Sequence, residues 1–571
     1  MMDPESRTMT RREFLGLAAS TAAALALPTA TGCMSVPLRD TYALNYSKDL
    51  VLANCSLIDV LSGAAVPDAM VRIREGKVVY AGRKTDAIGA PAEIIDLGGR
   101  YVMPGLINSH VHMTLPCTSA FNPFFFPTFV RQMRRNFVLE IESGVTTVRD
   151  MASIPFVLDY FVKDVENGNL RGPRVVHSTP FVNINGSHPD IPPFDISIFA
   201  PIAVAAVGNF GFNYEGWDDL KKKIDRFVQK ATFLKLSMDN RSILCGRGDV
   251  PVYTDEELKF LFDVAEKRHL RVSCHNVMKF GFSRALKYPM HSVEHIVADD
   301  FITEAEARTM ADRKIAIVPT AVVGNIYAYE EAFTSLPAEY RDEEIDNELR
   351  IRREYWGGIT DADCEPLIHR MNIESIAALR RLSFQQLIEN KYFVVNPHII
   401  FKGLKFGKEN LRRLDAGGVM MGVGTDAGTP MNYHGTIWRE LEILSRAGIT
   451  NDRILRSATA VNAKICGLDD RVGTLEPGKL ADIVVLSATK YIDGQGRCVG
   501  GAVVLPGAAY VEMALAAARE WFGGETQELE ELDIVAPVVF DGEHGRSIRL
   551  DLNPRDGGFQ IRSRQRLSDD E

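Results

Sequence analysis

The feature that most constrains this 571-residue chain is an alternation of apolar strand-like runs with helical patterns through its middle. The runs fall at 145–149, 174–177, 232–237, 270–275, 315–318 and 419–424, and helical periodicity lies between several of them. Parallel strands cannot be joined by a tight turn, so a strand–helix repeat calls for a parallel sheet covered by helices, and eight such units call for a barrel. Thr254-Asp255-Glu256-Glu257 marks one helix start, since Thr254 can cap the first turn while Glu257 reaches back to it. That helix is predicted through Lys267, and a second runs from about Thr450 to Gly467, with the glycine as its C-terminal stop.

The flanks have a different texture. From Asp49 to Ile95 short β-rich runs alternate with turn residues, and Val71–Arg74, the Glu75-Gly76-Lys77 turn and Val78–Ala81 read as a hairpin. Gly473 to Leu486 returns to short strands that can complete the same layer. Between Pro319 and Val419 lie about 100 residues where one helix and its loops would suffice, with an amphipathic helix expected near 372–390. An insertion of that size is expected to form a lid or wall beside a site.

Composition excludes some functions. Charged residues at 25% and hydrophobic residues at 46% are ordinary for a globular chain and do not fit a disordered or multi-span membrane protein. The net charge of −10 offers no basic field to hold nucleic acid. The acid excess is concentrated at the end: residues 487–571 carry 9 basic and 15 acidic groups. Eight cysteines without a C-x-x-C pair make neither a disulfide framework nor a zinc ribbon.

The chemistry begins at Met103-Pro104-Gly105-Leu106-Ile107-Asn108-Ser109-His110-Val111-His112. An apolar strand ends in two histidines spaced i, i+2, so both rings leave the same face and can chelate one ion. Gly144-Val145-Thr146-Thr147-Val148-Arg149-Asp150, Gly424-Thr425-Asp426-Ala427-Gly428 and Gly473-Thr474-Leu475-Glu476-Pro477-Gly478-Lys479-Leu480-Ala481-Asp482 accompany it. With these stretches, residues 49–486 resemble the amidohydrolase superfamily of metal-dependent (β/α)8 hydrolases, and most of all its imidazolonepropionase-like and prolidase-like branch.

The resemblance implies a ligand set. His110 and His112 match the strand-1 pair, and Lys235 matches the strand-4 lysine that takes up CO2 to bridge two metals. His275 and His295 match the ligands of strands 5 and 6, and Asp426 matches the strand-8 aspartate, which is also the catalytic acid–base. Alternation puts Phe233, Lys235 and Ser237 on one face, and burial would lower the amine's pKa so that its neutral form can capture CO2; an unmodified buried lysine paired with an acid is the other reading. His188, after the third strand where relatives carry Gly-Gly-His but Ser187 stands here, and His434 in Tyr433-His434-Gly435 are expected substrate contacts, with loop structure or helix capping as the alternative. The cofactors implied are two divalent metal ions, zinc by family habit, sharing a bridging hydroxide, with Lys235 carboxylated.

Both ends carry further resemblances. Thr10-Arg11-Arg12-Glu13-Phe14-Leu15 before the apolar run to Ala30 is similar to a twin-arginine export signal, and Ala30-Thr31-Gly32-Cys33 resembles a lipoprotein box with Cys33 as the lipid-attachment position. Gly500 to Leu515, with Pro506-Gly507 leading into a helical composition at 511–522, resembles the first part of a polyketide synthase dehydratase domain, a hotdog fold. Arg497 stands where that family has its essential histidine, and a guanidinium that stays protonated is no general base.

The expected fold class is therefore α/β: a (β/α)8 TIM-like barrel at 104–467 with an insertion at about 321–410, and a small β-sandwich from 41–103 and 468–487. A signal segment at 1–40 and a partial hotdog-like α+β fragment at 488–571 complete the chain. The expected function is hydrolysis of an amide or peptide-like bond in a small molecule such as a dipeptide or N-acyl amino acid. A one-metal deaminase or lactonase on the same barrel and a non-catalytic assembly protein are the alternatives. The expected partners are a small-molecule substrate and a second copy of the chain, with no nucleic acid and with the membrane reached only through Cys33. The expected location is periplasmic or lipid-anchored in a bacterium.

Overall fold

The computed structural model describes residues 49–486, except 86–88, 90, 92, 119–125, 154, 189–210, 229, 243–249, 327–345, 347–349, 351–358, 360–362 and 380–396, and beyond 486 it describes six short strands. The expectations placed on residues 1–40, Cys33, Arg497 and the 511–522 helix lie outside the described residues.

The chain opens with β1 (Asp49–Ile58), β2 (Ala65–Arg74), β3 (Lys77–Arg83), β4 (Glu93–Asp96) and β5 (Tyr101–Pro104). β1, β2 and β3 form an antiparallel meander, and β4 and β5 both pair parallel to β1. The hairpin read from the sequence is the β2–β3 pair, turned by Glu75 and Gly76, both at positive φ (+49° and +72°) as a tight hairpin turn requires.

Next come β6 (Leu106–Val111), β7 (Val145–Asp150), β8 (Arg174–His177), β9 (Phe181–Ile184), β10 (Gly211–Tyr214), β11 (Phe233–Ser237), β12 (Arg271–His275), β13 (Ser292–Glu294) and β14 (Ala316–Val318). Every ladder among them is parallel, in the orders β6-β7-β8 and β10-β9-β11-β12-β13-β14. Single parallel bridges join the two groups: Ser178 to Phe233 between β8 and β11, Ile317 to Met421 beyond β14, and Ala427 back to Val111 of β6. The pairing thus returns to its starting strand. β11, β13 and β14 are buried at every position, as expected for parallel strands covered on both faces.

The run expected as a strand at 419–424 makes this closure without forming a regular ladder. Gly422 N donates to Ile317 O at 2.8 Å and Ser109 N to Val423 O at 2.9 Å. The approach is close. A β-carbon on Gly424 would lie 2.5 Å from Val318 Cγ1 and 2.7 Å from His110 Cβ, so only a glycine lets the backbone pass between β6 and β14.

Helices α1 (Phe126–Glu142), α2 (Pro155–Glu166), α3 (Gly216–Phe227), α4 (Asp255–Lys267), α5 (Lys279–Ala285) and α6 (Glu304–Asp312) fall between the strands. α4 starts at the expected capping box: Thr254 accepts from Glu257 N, and Glu257 accepts from Thr254 N. The long segment after β14 contributes α7 (Ala321–Ile326), α8 (Pro366–Leu379) and α9 (Pro397–Ala416). The helix expected near 372–390 begins earlier, at Pro366, where proline suits a first turn; residues 380–390 lie outside the described residues. α9 walls the loop after β13, its Asn410 bonding Val297 O, Asp300 O and Ile302 N.

α10 (Ile437–Arg446) and α11 (Asn451–Arg456) lead through a π-turn at Ser457–Val461 into α12 (Asn462–Cys466), which ends at Gly467 with φ +71°. Asn462 ties β6 to the segment before Asp426, donating to Ile107 O (2.5 Å) and Val423 O (2.8 Å). β15 (Ile483–Leu486) then pairs antiparallel with β5, so the two flanks share one layer as expected. That layer is a single six-stranded hydrogen-bonded sheet with its own core of Leu50, Leu52, Val71, Val78 and Val102. β1 serves both β4 and β5, pairing with the first over Leu50–Ala53 and with the second over Ser56–Leu57.

After residue 486 the described strands form three two-stranded antiparallel pairs, the longest joining Arg546–Leu552 to Phe559–Gln565. No described helix is long and apolar enough to cross a membrane.

Candidate metal centre

The sequence-predicted donors converge where the parallel strands end. His110 and His112 project from the end of β6. Asp426 meets them from the segment that closes the circuit: its Oδ1 is 3.2 Å from His110 Nε2 and 2.9 Å from His112 Nε2. One ligand atom from each of the three lies within 4.8 Å of the others, and all three residues are buried. The rings continue around the rim, with centroids 4.8 Å apart for His110 and His295, 4.5 Å for His295 and His275, and 4.0 Å for the stacked pair His275 and His188. Lys235, on β11, is fully buried, and its Nζ has no hydrogen-bond partner, lying 5.1 Å from the Phe181 ring centre.

Backbone strain marks the same place. His295 and Asp426 both have positive φ (+72° and +56°), a conformation costing an L-residue about 1–2 kcal/mol. The φ values turn the chain out of strand geometry where these side chains enter the cluster.

Four of the rings are anchored through a second nitrogen. His110 Nδ1 donates to Glu294 Oε2 (2.8 Å), and His112 Nδ1 donates to Ala152 O (2.8 Å). His275 Nε2 stands 3.5 Å from Asp239 Oδ2 without a hydrogen bond, while His295 Nδ1 is 2.7 Å from the Thr320 hydroxyl and His188 Nδ1 is 3.0 Å from Ser242 Oγ. Such contacts fix the tautomer and aim the free lone pair. For His110 and His112 the Nδ1–H is given to an oxygen that only accepts, which leaves each Nε2 facing Asp426 Oδ1. Ring nitrogens and a carboxylate oxygen this close need a cation between them, a proton or a metal ion. Donors around a tetrahedral zinc with bonds of about 2.05 Å sit a little over 3 Å apart, close to the observed spacings. The donor set therefore fits a divalent metal ion.

The electrostatics agree. Burial holds the His275 and His295 rings far below the usual imidazole range, and burial with the nearby Lys235 charge brings His188 down to about 3, so these rings are neutral. Burial lowers Lys235 to about 8, against the opposing pull of Glu294 and Asp426. For Asp426 burial works upward, but the hydrogen bonds and charges of His110 and His112 prevail and hold it well below the carboxylate range. Glu294 follows the same logic, with Arg149 and His110 overriding its burial.

His434 does not join the ring of donors. Its Nδ1 pairs with Glu140 Oε1 of α1 at 2.8 Å, and its Nε2 is buried without a hydrogen-bond partner. The sequence reading missed Glu294, Arg149, Asp239 and Thr320. Arg149 and Glu294 did leave a signal: each is a charge inside a predicted parallel strand, where burial demands a partner.

Comparison with known proteins places this geometry in context. The profile described as the amidohydrolase family matches residues 101–317 and 354–521. A second, described as the polyketide synthase dehydratase domain, matches 485–566. An adenine deaminase of Shewanella halifaxensis is 26% identical over 149 residues, 26% of this chain and 22% of that protein. The chain thus spans about a fifth of the length of that curated relative. Among solved structures, a prolidase complexed with N-methylphosphonate-L-proline is 21% identical, with a TM-score of 0.56 over 79% of this chain and all of the other. A Xaa-Pro dipeptidase with bound methionine is 19% identical, with a TM-score of 0.56 over 76% of this chain and 93% of the other. At these identities the likeness speaks to fold, which in these neighbours is TIM-barrel-like.

Proposed function

The chain belongs to the amidohydrolase family, and on that premise we propose that it is a metal-dependent hydrolase cleaving a carbon–nitrogen bond of amide or peptide type in a small molecule such as a dipeptide or N-acyl amino acid. The same reading takes the circuit of eight parallel segments as a (β/α)8 barrel with its site at the strand ends. The observation that carries it is the buried meeting of His110 Nε2, His112 Nε2 and Asp426 Oδ1.

In this reading His110, His112 and Asp426 hold one divalent ion, and His275, His295 and Lys235 hold a second, with Lys235 Nζ converted to a carbamate by CO2. The bound ions, zinc by the mixed nitrogen–oxygen donor set, supply Lewis acidity toward the scissile carbonyl and lower the pKa of water. Asp426 accepts the proton of the attacking water and delivers it to the departing nitrogen. Its strained φ holds the carboxylate over both histidines through the exchange. His188, neutral and stacked on His275, is a polar contact for the substrate.

A second reading keeps one ion, as in a deaminase or lactonase. It is favoured by the fact that, among the described residues, only His110, His112 and Asp426 form a compact three-donor group of histidine, cysteine and carboxylate ligands. Metal content per chain, with a screen of N-acyl amino acids, dipeptides and lactones, separates the two. Two ions and amide turnover support the first reading, and one ion with turnover of a lactone or an amino-heterocycle overturns it. Residues 485–566 are read as a fused fragment without catalysis of its own, since Arg497 replaces its histidine. Export with Cys33 lipidation belongs to the same reading, and a mature N-terminus lacking lipid at Cys33 would refute it.

A further inference from the structure

The donor rings lean on unequal supports. His112 is backed by a backbone carbonyl and His295 by a hydroxyl, but His110 is backed by a carboxylate with no solvent exposure. A charge so placed needs compensation, and Arg149 gives it. Its Nη2 donates to both Glu294 oxygens at 2.8 Å, its Nε to Ser109 O at 2.6 Å and its Nη1 to Ser292 Oγ at 3.0 Å. Ser292 Oγ donates to Glu294 Oε1 at 2.6 Å and lies 2.7 Å from Ser273 Oγ. Residues from β6, β7, β12 and β13 thus build a closed polar layer directly beneath the donor rings.

Stability does not account for that layer. Desolvating a guanidinium and a carboxylate consumes most of what their attraction returns, and apolar side chains of similar volume would fill the space as well. What the layer does supply is one carboxylate oxygen aimed at one ring nitrogen of a candidate ligand. We propose that Glu294, held by Arg149, is the positioning carboxylate of His110: it accepts the Nδ1–H hydrogen bond, aims Nε2 toward the Asp426 side of the cluster and makes that ring a stronger donor to a divalent cation. This rests on the metal-binding reading above.

The test measures Zn2+ affinity of the full chain by competition with a chromophoric chelator, and the visible spectrum of the Co2+-loaded protein. Two variants are compared with the wild type. Glu294→Gln removes the charge and leaves Arg149 uncompensated, which endangers folding; Glu294→Gln with Arg149→Met removes both charges. The expected result is a 10- to 100-fold loss of Zn2+ affinity in the double variant, with a shifted Co2+ spectrum and a retained cooperative unfolding transition. Wild-type affinity and spectrum in the double variant overturn the proposal while leaving the metal reading intact. Loss of the double variant's unfolding transition also overturns it, because the pair is then structural. A wild-type chain that takes up no Zn2+ overturns both.

Discussion

Replacing Gly428 with alanine tests the site through the backbone alone. A β-carbon there would lie 2.1 Å from His112 O and 3.0 Å from both His112 C and His112 Cβ. An ordinary carbon–oxygen contact is about 3.3 Å, so the two segments must separate by roughly 1 Å. Little is free to yield: His112 N donates to Ala427 O at 2.8 Å, Cys117 N to Gly428 O at 3.0 Å and Gly428 N to Asn432 O at 2.9 Å. Gly428 also has φ +103°, which costs alanine about 1–2 kcal/mol, and overpacking adds about 1–3 kcal/mol. The expected destabilisation is therefore about 2–5 kcal/mol. Gly76→Ala is the control, because Gly76 has φ +72° but nothing within 4 Å of an added β-carbon. Denaturant unfolding should show Gly428→Ala losing more stability than Gly76→Ala. Zn2+ binding should weaken only in the first, since His112 and Asp426 flank the clash. Equal losses with unchanged Zn2+ binding would refute the reasoning.

Other outcomes follow from the same geometry. Asp426→Asn should lower kcat/KM by about 10²–10⁴-fold while the histidines keep most of the metal; retained turnover would remove Asp426 from the acid–base role. The Lys235 amine, brought down to about 8 by burial, binds fewer protons than the unfolded chain between pH 8 and the ordinary lysine value near 10.5. Stability of the metal-free protein should therefore rise with pH through that window, and Lys235→Met should abolish the rise; a pH slope unchanged in the variant would contradict the assignment. Thr254→Ala removes the α4 cap and should cost about 1 kcal/mol, measured by denaturant unfolding, with catalysis unaffected.

The local signals were the legible ones. A capping box, a tight turn and an i, i+2 histidine pair are set by neighbours in sequence, and Thr254, Gly76 and His110 stand in the structure as their spacing implied. Asp426, His275 and His295 were found through resemblance, because an isolated strand-end residue carries no local mark of its partners. The supports of those residues were not found. Glu294 contacts His110 across 184 residues and Arg149 across 145, and such pairs exist only once the strands are ordered. Val419 to Gly424 read as a strand from its apolar run, and it pairs with β14 through a single bridge between Ile317 and Met421. That β1 pairs with both β4 and β5 was not read either, because alternation specifies buried faces without saying which strands share an edge.

The most direct test of the account is the metal content of the purified full-length chain, set beside that of a His110→Asn, His112→Asn double variant. Two divalent ions per wild-type chain and loss of one in the variant are expected. A wild-type chain free of metal after growth and dialysis in zinc, or a variant that keeps both ions, would contradict it.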